Sequence, residues 1–471
     1  MVRAIRDTAR EMGTSLPGLL FVVRVEVGDL AEYVVNRPAY VRERVPVEEV
    51  LRLSWSKDNI IDLFAIGDLR TFKAVIRANR DLYKKELSEE ELEALFRATA
   101  AAMWVRATPP DREKAREEEE VLRLLEALRE PLRSYARAEV AFHLAEYRAR
   151  VGDYEGAKKL VDEALKSLEE LSKPGPRWEE LASNPDVARF FSPLGGKPRE
   201  KLAGRLRLLE GELTSTLGHI CLDVDKLDEA VEAFRRSWRA LVEHGAPPVN
   251  TLAAHSWYVR ASILGDGPSA RPKDLEGREL SWPEHLRAIW RTMEEHEEEM
   301  TPKATFARYV GALMADAWEE PKRVLRTDAL RELRERMKTW PNKDLVGITL
   351  GTLALLLKLR GLLTAKPGEE LGKYALEVLR PLRTELGARR LANAPISSAL
   401  ELSSILLGLL EDRLDEAAEE AEEAAAAKGY SLLLRRLFRE LAEAIRAYEE
   451  RGEEAREALI EAVLKLFYLH L

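Results

Sequence analysis

Residues 144–165 read LAEYRARVGDYEGAKKLVDEAL. Gly152-Asp153 is turn chemistry set between two runs in which apolar residues recur at helical spacing. Leu144-Ala145 falls midway along the first run, and Ala157, Val161 and Ala164-Leu165 line one face of the second. Small side chains on facing surfaces let two helix axes approach closely, because interaxial distance follows the residues at the crossing. The pattern therefore predicts an antiparallel helical hairpin.

A second stretch repeats the design. Residues 217–237 read LGHICLDVDKLDEAVEAFRRS, with Leu217-Gly218 and Cys221 on the first helix, a turn at 225–229, and Ala230 and Phe234 on the second. Ala157 and Ala230 lie 73 residues apart, so an insertion over 172–204 separates the units. Both stretches resemble the tetratricopeptide (TPR) repeat, a pair of helices in about 34 residues with a Leu-Gly pair, a turn, and spaced Ala, Phe and Ala. The specific likeness covers about 138–171 and 211–244. Ala145 stands where the family has Gly, Arg148 where it has Tyr, and Ser237 where it has Ala, and the first unit has no closing Pro. The resemblance implies an all-α chain whose antiparallel hairpins stack as a TPR-like α-solenoid, interrupted by loop insertions. Looser echoes follow at Leu350-Gly351 with Tyr374-Ala375, at Leu402–Asp412 with Leu414–Ala427, and at Leu441–Glu450 with Gly452–Leu469.

Working outward, Ser88 and Glu91 form a capping-box signal, and Leu92, Leu95, Phe96, Ala100, Met103 and Trp104 mark one helical face before Pro109-Pro110. A further helix is expected from Asp111 to Arg129. Only Leu19–Val27 reads at all like a strand, and a lone strand has nothing to pair with. Breakers at 173–176, the Pro-, Gly- and Ser-rich stretch 183–198, and the loop 265–278 suggest three regions. These are an N-terminal helical region (1–130), a repeat region (131–265) and a C-terminal hairpin region (279–471).

Composition narrows the class. Charged residues reach 33%, above the roughly 25% of ordinary soluble chains, and the signs are mixed along most of the length. There is no glutamine and there are seven asparagines, a thermophile-like avoidance of labile amides beside abundant ion-pairing residues. The one cysteine, Cys221, excludes an intrachain disulfide and a cysteine metal site. Residues 401–471 carry 17 acids and 9 bases, so −8 of the net −9 resides there. No basic stripe elsewhere suits duplex nucleic acid. The charged, amphipathic first twelve residues do not read as a signal peptide. The most apolar helix, 345–363, contains Lys358 and Arg360 and reads as a buried helix rather than a membrane span. The expected setting is cytoplasmic, without membrane or cofactor.

TPR units line a concave surface with the first helix of each pair. Carried onto this chain, that implies partner-binding positions at Glu139, Phe142, Glu146, Arg150, Glu212, Ser215, His219 and Asp223. They are mostly acidic or small, and they lack the Lys, Arg and Asn set with which some members clamp a carboxylate. A basic segment of a protein or peptide partner matches them better. The alternative is that the insertion or a neighbouring helix fills this surface. The apolar end at 463–471 must also dock, either on its own chain or on a second copy, which raises self-association.

Catalytic signals are sparse. Gly195-Gly196-Lys197 lacks P-loop spacing, and His285 and His296 share a helical face with no third clear ligand. A second resemblance is to all-α ribonucleases of the HEPN kind, in which an Arg precedes a His by a few residues on one helix. Arg137 and His143 fit that spacing, with His implied as base or acid and Arg as phosphate anchor. Arg239 with His244, Arg278 with His285, and Arg291 with His296 fit it as well, and Ala138 stands where the family has a polar residue. The leading expectation is a non-catalytic interaction scaffold.

Overall fold

The computed structural model describes residues 121–184 and 198–471, apart from 173–174, 244, 247, 297–301, 339, 341, 365 and 395, together with isolated positions between 87 and 102. Its described residues form helices and loops. No strand occurs among them beyond a single bridge between Lys273 and Glu279. The all-α expectation is met; the strand-like 19–27 and most of region 1–130 lie outside the described residues. At Ser88 the capping box forms as read. The Ser88 amide donates to Glu91 Oε2 at 2.9 Å, and the Glu91 amide donates to Ser88 Oγ at 3.1 Å. Of the face expected beyond it, Leu95 is described and buried, and Ala94, Ala98 and Ala102 are buried with it.

The chain divides into two compact units, Met1–Ile220 and Cys221–Leu471. In the first, α1 (Leu132–Arg150) and α2 (Tyr154–Ser172) pack as a hairpin. The short α3 (Pro176–Ser183) lies within the expected insertion, and α4 (Pro198–Asp223), whose last three residues are counted with the second unit, begins before that insertion was expected to end. Leu144, Ala145, Ala157, Val161, Leu181, Leu209 and Leu213 belong to one apolar core.

The second unit runs α5 (Leu227–Glu243), α6 (Pro248–Asp266), α7 (Trp282–Glu294), α8 (Pro302–Glu319), the single turn α9 (Pro321–Val324), α10 (Thr327–Lys338), α11 (Lys343–Leu359), α12 (Lys366–Leu391), α13 (Ser398–Leu410), α14 (Leu414–Ala426), α15 (Leu432–Arg451) and α16 (Arg456–His470). The neighbours α5/α6, α6/α7, α7/α8, α11/α12, α12/α13, α13/α14, α14/α15 and α15/α16 pack in pairs. A solenoid repeat touches only its sequence neighbours. Here α16 also packs on α6 and α11, so this unit closes upon itself. The reason is apolar content. Leu459, Ile460, Val463, Leu464, Leu466 and Phe467 are all buried, and one packed face could not cover them. The apolar end that had to dock is thus covered by its own chain.

Six helices stop in the same way. Gly152, Asp225, Gly245, Gly361, Asn393 and Asp412 each take a positive φ. The next amide in each case donates to the carbonyl five residues back: Asp153 to Arg148, Lys226 to Cys221, Ala246 to Leu241, Leu362 to Leu357, Ala394 to Arg389 and Arg413 to Gly408. This Schellman geometry satisfies carbonyls that a helix end leaves orphaned. It also ends the apolar helix at Leu359 rather than at 363, because Gly361 turns the chain there. That helix is buried along nearly its whole length. Among the described residues no helix is long and apolar enough to cross a membrane.

Candidate functional site

Three of these turns lead into matching helices. Gly152, Asp225 and Asp412 are each followed, five residues on, by an alanine: Ala157, Ala230 and Ala417. Each alanine amide bonds to the carbonyl four residues back. Positions four and seven beyond the alanine are Val161 and Ala164, Phe234 and Ser237, and Ala421 and Ala424. All nine side chains are buried at about 1% exposure or less. The same spacing of buried positions recurs at Ala375, Leu379 and Leu382 on α12 and at Ala455, Leu459 and Ala462 around the start of α16. Spacings of four and seven bring side chains onto one helix face, so each second helix offers a narrow crossing stripe.

The first helices carry the expected partner-binding residues. On α1, Glu139 is buried at 1% exposure, and its Oε1 accepts from the Tyr135 hydroxyl at 3.0 Å. It is held inside the unit rather than presented on a surface. Phe142 is half-buried and packs on the core of the first unit, and Glu146 is half-buried. Arg150 closes the helix, and its side chain lies outside the described set.

The α4 row is more uniform. Glu212, Ser215, His219 and Asp223 follow spacings of three, four and four, and all four are half-buried. Asp223 differs in its electrostatics. Burial alone pushes its carboxyl up to about 6, and among the described residues no cation or hydrogen-bond donor meets it. A partly desolvated carboxylate without a partner is costly, and it is the kind of group that a ligand cation relieves.

The acidic helix α14 behaves differently. Arginines of neighbouring elements hold its carboxylates: Arg383 reaches Glu416 at 2.9 Å and Glu420 at 3.2 Å, Arg390 reaches Glu423 at 2.9 Å, and Arg446 reaches Glu422 at 2.8 Å. Its charge is largely answered within the unit. The pairing was not legible beforehand, since it joins residues that the chain spacing leaves unrelated.

The other sequence candidates fall as follows. Arg137 is exposed and His143 is buried at 5% exposure, so α1 sends them to different environments. His285 is also buried. It pairs with His255, whose Nε2 lies 2.9 Å from His285 Nδ1, and not with His296, which sits half-buried in the turn after α7. Glu284 is committed to the capping box of α7, where it accepts from the Ser281 amide at 2.7 Å. Among the described residues no three His, Cys, Asp or Glu side chains gather as a metal site would require. His255 was not singled out by its sequence surroundings, and an aromatic run of Trp257 and Tyr258 beside it was the one available signal.

Comparison of the chain with protein-family models, with curated proteins and with solved structures finds no match.

Proposed function

We propose that this chain is a non-catalytic, TPR-like interaction protein that receives a basic segment of a partner protein along the α4 row. The observation that carries this reading is Asp223: a half-buried carboxyl, raised to about 6 by burial and without a partner among the described residues. Glu212 precedes it on the same helix face. Support for the repeat character comes from the three matching turns and their buried stripes at Ala157, Ala230 and Ala417. A lysine or arginine from a partner would restore to Asp223 the counter-charge that folding withheld.

The reading predicts a trade between stability and binding. A group whose folded pKa is raised destabilises the folded state once pH exceeds its unfolded value near 3.8. Asp223→Asn removes that cost. It should raise unfolding free energy at pH 7.5 by about 1–3 kcal/mol in urea titrations. The same substitution should reduce capture of the partner at least tenfold. Affinity capture of the tagged chain, with nuclease present, supplies the partner for that comparison. A protein recovered near stoichiometry and lost with Asp223→Asn supports the proposal. Recovery of RNA alone, or capture indifferent to Asp223→Asn, overturns it.

A further inference from the structure

In the second unit, two aromatic rings, those of Trp238 and Tyr258, flank a hydrogen bond between two histidines. His255 on α6 stacks on Trp238 of α5 with ring centroids 3.7 Å apart and planes 6° from parallel. His285 on α7 meets His255 edge-on at 5.1 Å and Tyr258 edge-on at 6.4 Å. Both histidines are buried, at 9% and 1% exposure. His285 Nε2 lies 3.0 Å from the Pro272 carbonyl, which only an N–H can satisfy. That fixes His285 Nδ1 as an acceptor, so His255 Nε2 must donate across the 2.9 Å between them. The chain of bonds runs from α6 through α7 to the segment 267–281, which joins those two helices.

That segment is held by few other bonds. The Tyr258 hydroxyl donates to the Lys273 carbonyl at 3.0 Å and accepts from the Lys273 amide at 2.9 Å. Trp282 Nε1 donates to the Pro268 carbonyl at 3.2 Å. Arg235 reaches the Asp274 carbonyl at 3.4 Å. Arg271, Lys273, Glu276, Arg278 and Glu279 on the segment are all exposed.

We propose that the His255–His285 pair is an acid-sensitive latch that holds segment 267–281 against α6 and α7 and releases it on protonation. The neutral pair satisfies the facing nitrogens with one proton. Two protons in excess would make both facing nitrogens donors 2.9 Å apart, which abolishes the bond and sets like charges together. One excess proton would bury an imidazolium whose nearest carboxylates are already engaged. Asp274 Oδ2 takes Arg278 Nε at 2.7 Å, and Glu284 caps α7. The remaining charged neighbours are Arg235 and Glu232 on α5 and, on the segment, Arg271, Glu279 and Lys273, which pairs with Glu279 at 3.8 Å, three cations against two acids. Burial lowers both histidines, reinforced at His255 by the charge of His285 and opposed at His285 by the Pro272 carbonyl, Asp274 and Glu284, so protonation is coupled to opening. Tyr258 stays un-ionised throughout this range.

Hydrogen exchange of the full chain at pH 7.5 and pH 4.5, corrected for intrinsic rates, tests the latch. The wild type should lose at least tenfold more protection over 267–281 than over α14 at the lower pH. His255→Phe keeps a ring against Trp238 but cannot be protonated, and it should show no such pH response. Unchanged protection of the segment at pH 4.5 would overturn the proposal. So would an equal loss in α14, which marks global acid unfolding, or an equal acid response in His255→Phe. Should that variant not fold, nitrogen-15 spectra of the wild-type histidines decide the matter. His285 must carry its proton on Nε2 and both rings must stay neutral at pH 6.5; a ring half-protonated there sinks the latch.

Discussion

Arg260 carries its charge into the buried interior, where no carboxylate meets it among the described residues. Its Nε donates to the Tyr468 carbonyl at 2.6 Å and its Nη2 to the Leu469 carbonyl at 3.0 Å, so the guanidinium caps the end of α16. The Trp257 ring lies 3.6 Å beneath it. Burial, and then the positive charge of Arg308, lower its pKa to about 9, which still leaves it charged at neutral pH. A cation at a helix C-terminus is favoured by the dipole, and the forked donor satisfies two orphan carbonyls. Arg260→Ala should cost about 3 kcal/mol in urea unfolding, and Arg260→Lys should recover little, because an ammonium cannot reproduce the fork. His470 ties the same helix end to α13. It bridges the Leu466 carbonyl at 2.7 Å and Ser398 Oγ at 2.8 Å, and burial pushes it down to about 4. A histidine held neutral by folding stabilises fully above its unfolded value of 6.5, and that contribution is lost as pH falls toward 4. Its full size is about 3 kcal/mol, so His470→Phe should flatten the stability profile between pH 6.5 and 4.

Elements in this protein are set by where helices stop and how closely they cross. The stops were legible: Gly152-Asp153 announced its turn, and Gly361 ended the apolar helix α11. Asp225 and Asp412 were read as stops too, from the turn at 225–229 and the break after Asp412, although aspartate adopts the left-handed region less readily than glycine and the helix after Asp225 already begins at Leu227. The crossings were legible where small residues recur. A Cβ on Gly351 would lie 3.0 Å from Leu406 Cβ and 3.3 Å from Leu379 Cδ1, so α11 meets α12 and α13 there without room for a branched side chain. Gly351→Val should therefore destabilise by about 3 kcal/mol, measured by urea unfolding, despite the entropy that any replacement of glycine gains. Gly351→Ala has only one carbon to accommodate and should cost clearly less.

At the scale of the whole second unit, closure through α16 outweighs any single hairpin. Burying one Leu, Ile, Val or Phe side chain contributes roughly 1.5–3 kcal/mol. The six large apolar side chains of α16 therefore rival the full stability of an ordinary domain. Deleting residues 456–471 should abolish the cooperative calorimetric transition of this unit, whereas a deletion confined to an open array would trim it. Salt should matter less. The Arg–Glu pairs among α12, α14 and α15 are partly or largely exposed, and 1 M salt should lower the midpoint by only a few degrees.

By itself, the sequence determined the helical class, the hairpins at 144–165, 402–427 and 441–469, and the buried character of α11, because helical periodicity, turn chemistry and capping are local. The α4 row was readable for the same reason: its spacing places four residues on one face wherever the helix lies. Packing settled which of the expected binding residues on α1 and α4 meets a partner. Glu139 is tied to Tyr135 while Asp223 meets no counter-charge among the described residues, and that depends on what packs around each carboxyl. The same holds for the His255–His285 pair and for the return of α16 to α6. Their partners lie 30 and more than 200 residues apart, and no local pattern encodes the contact between such distant side chains.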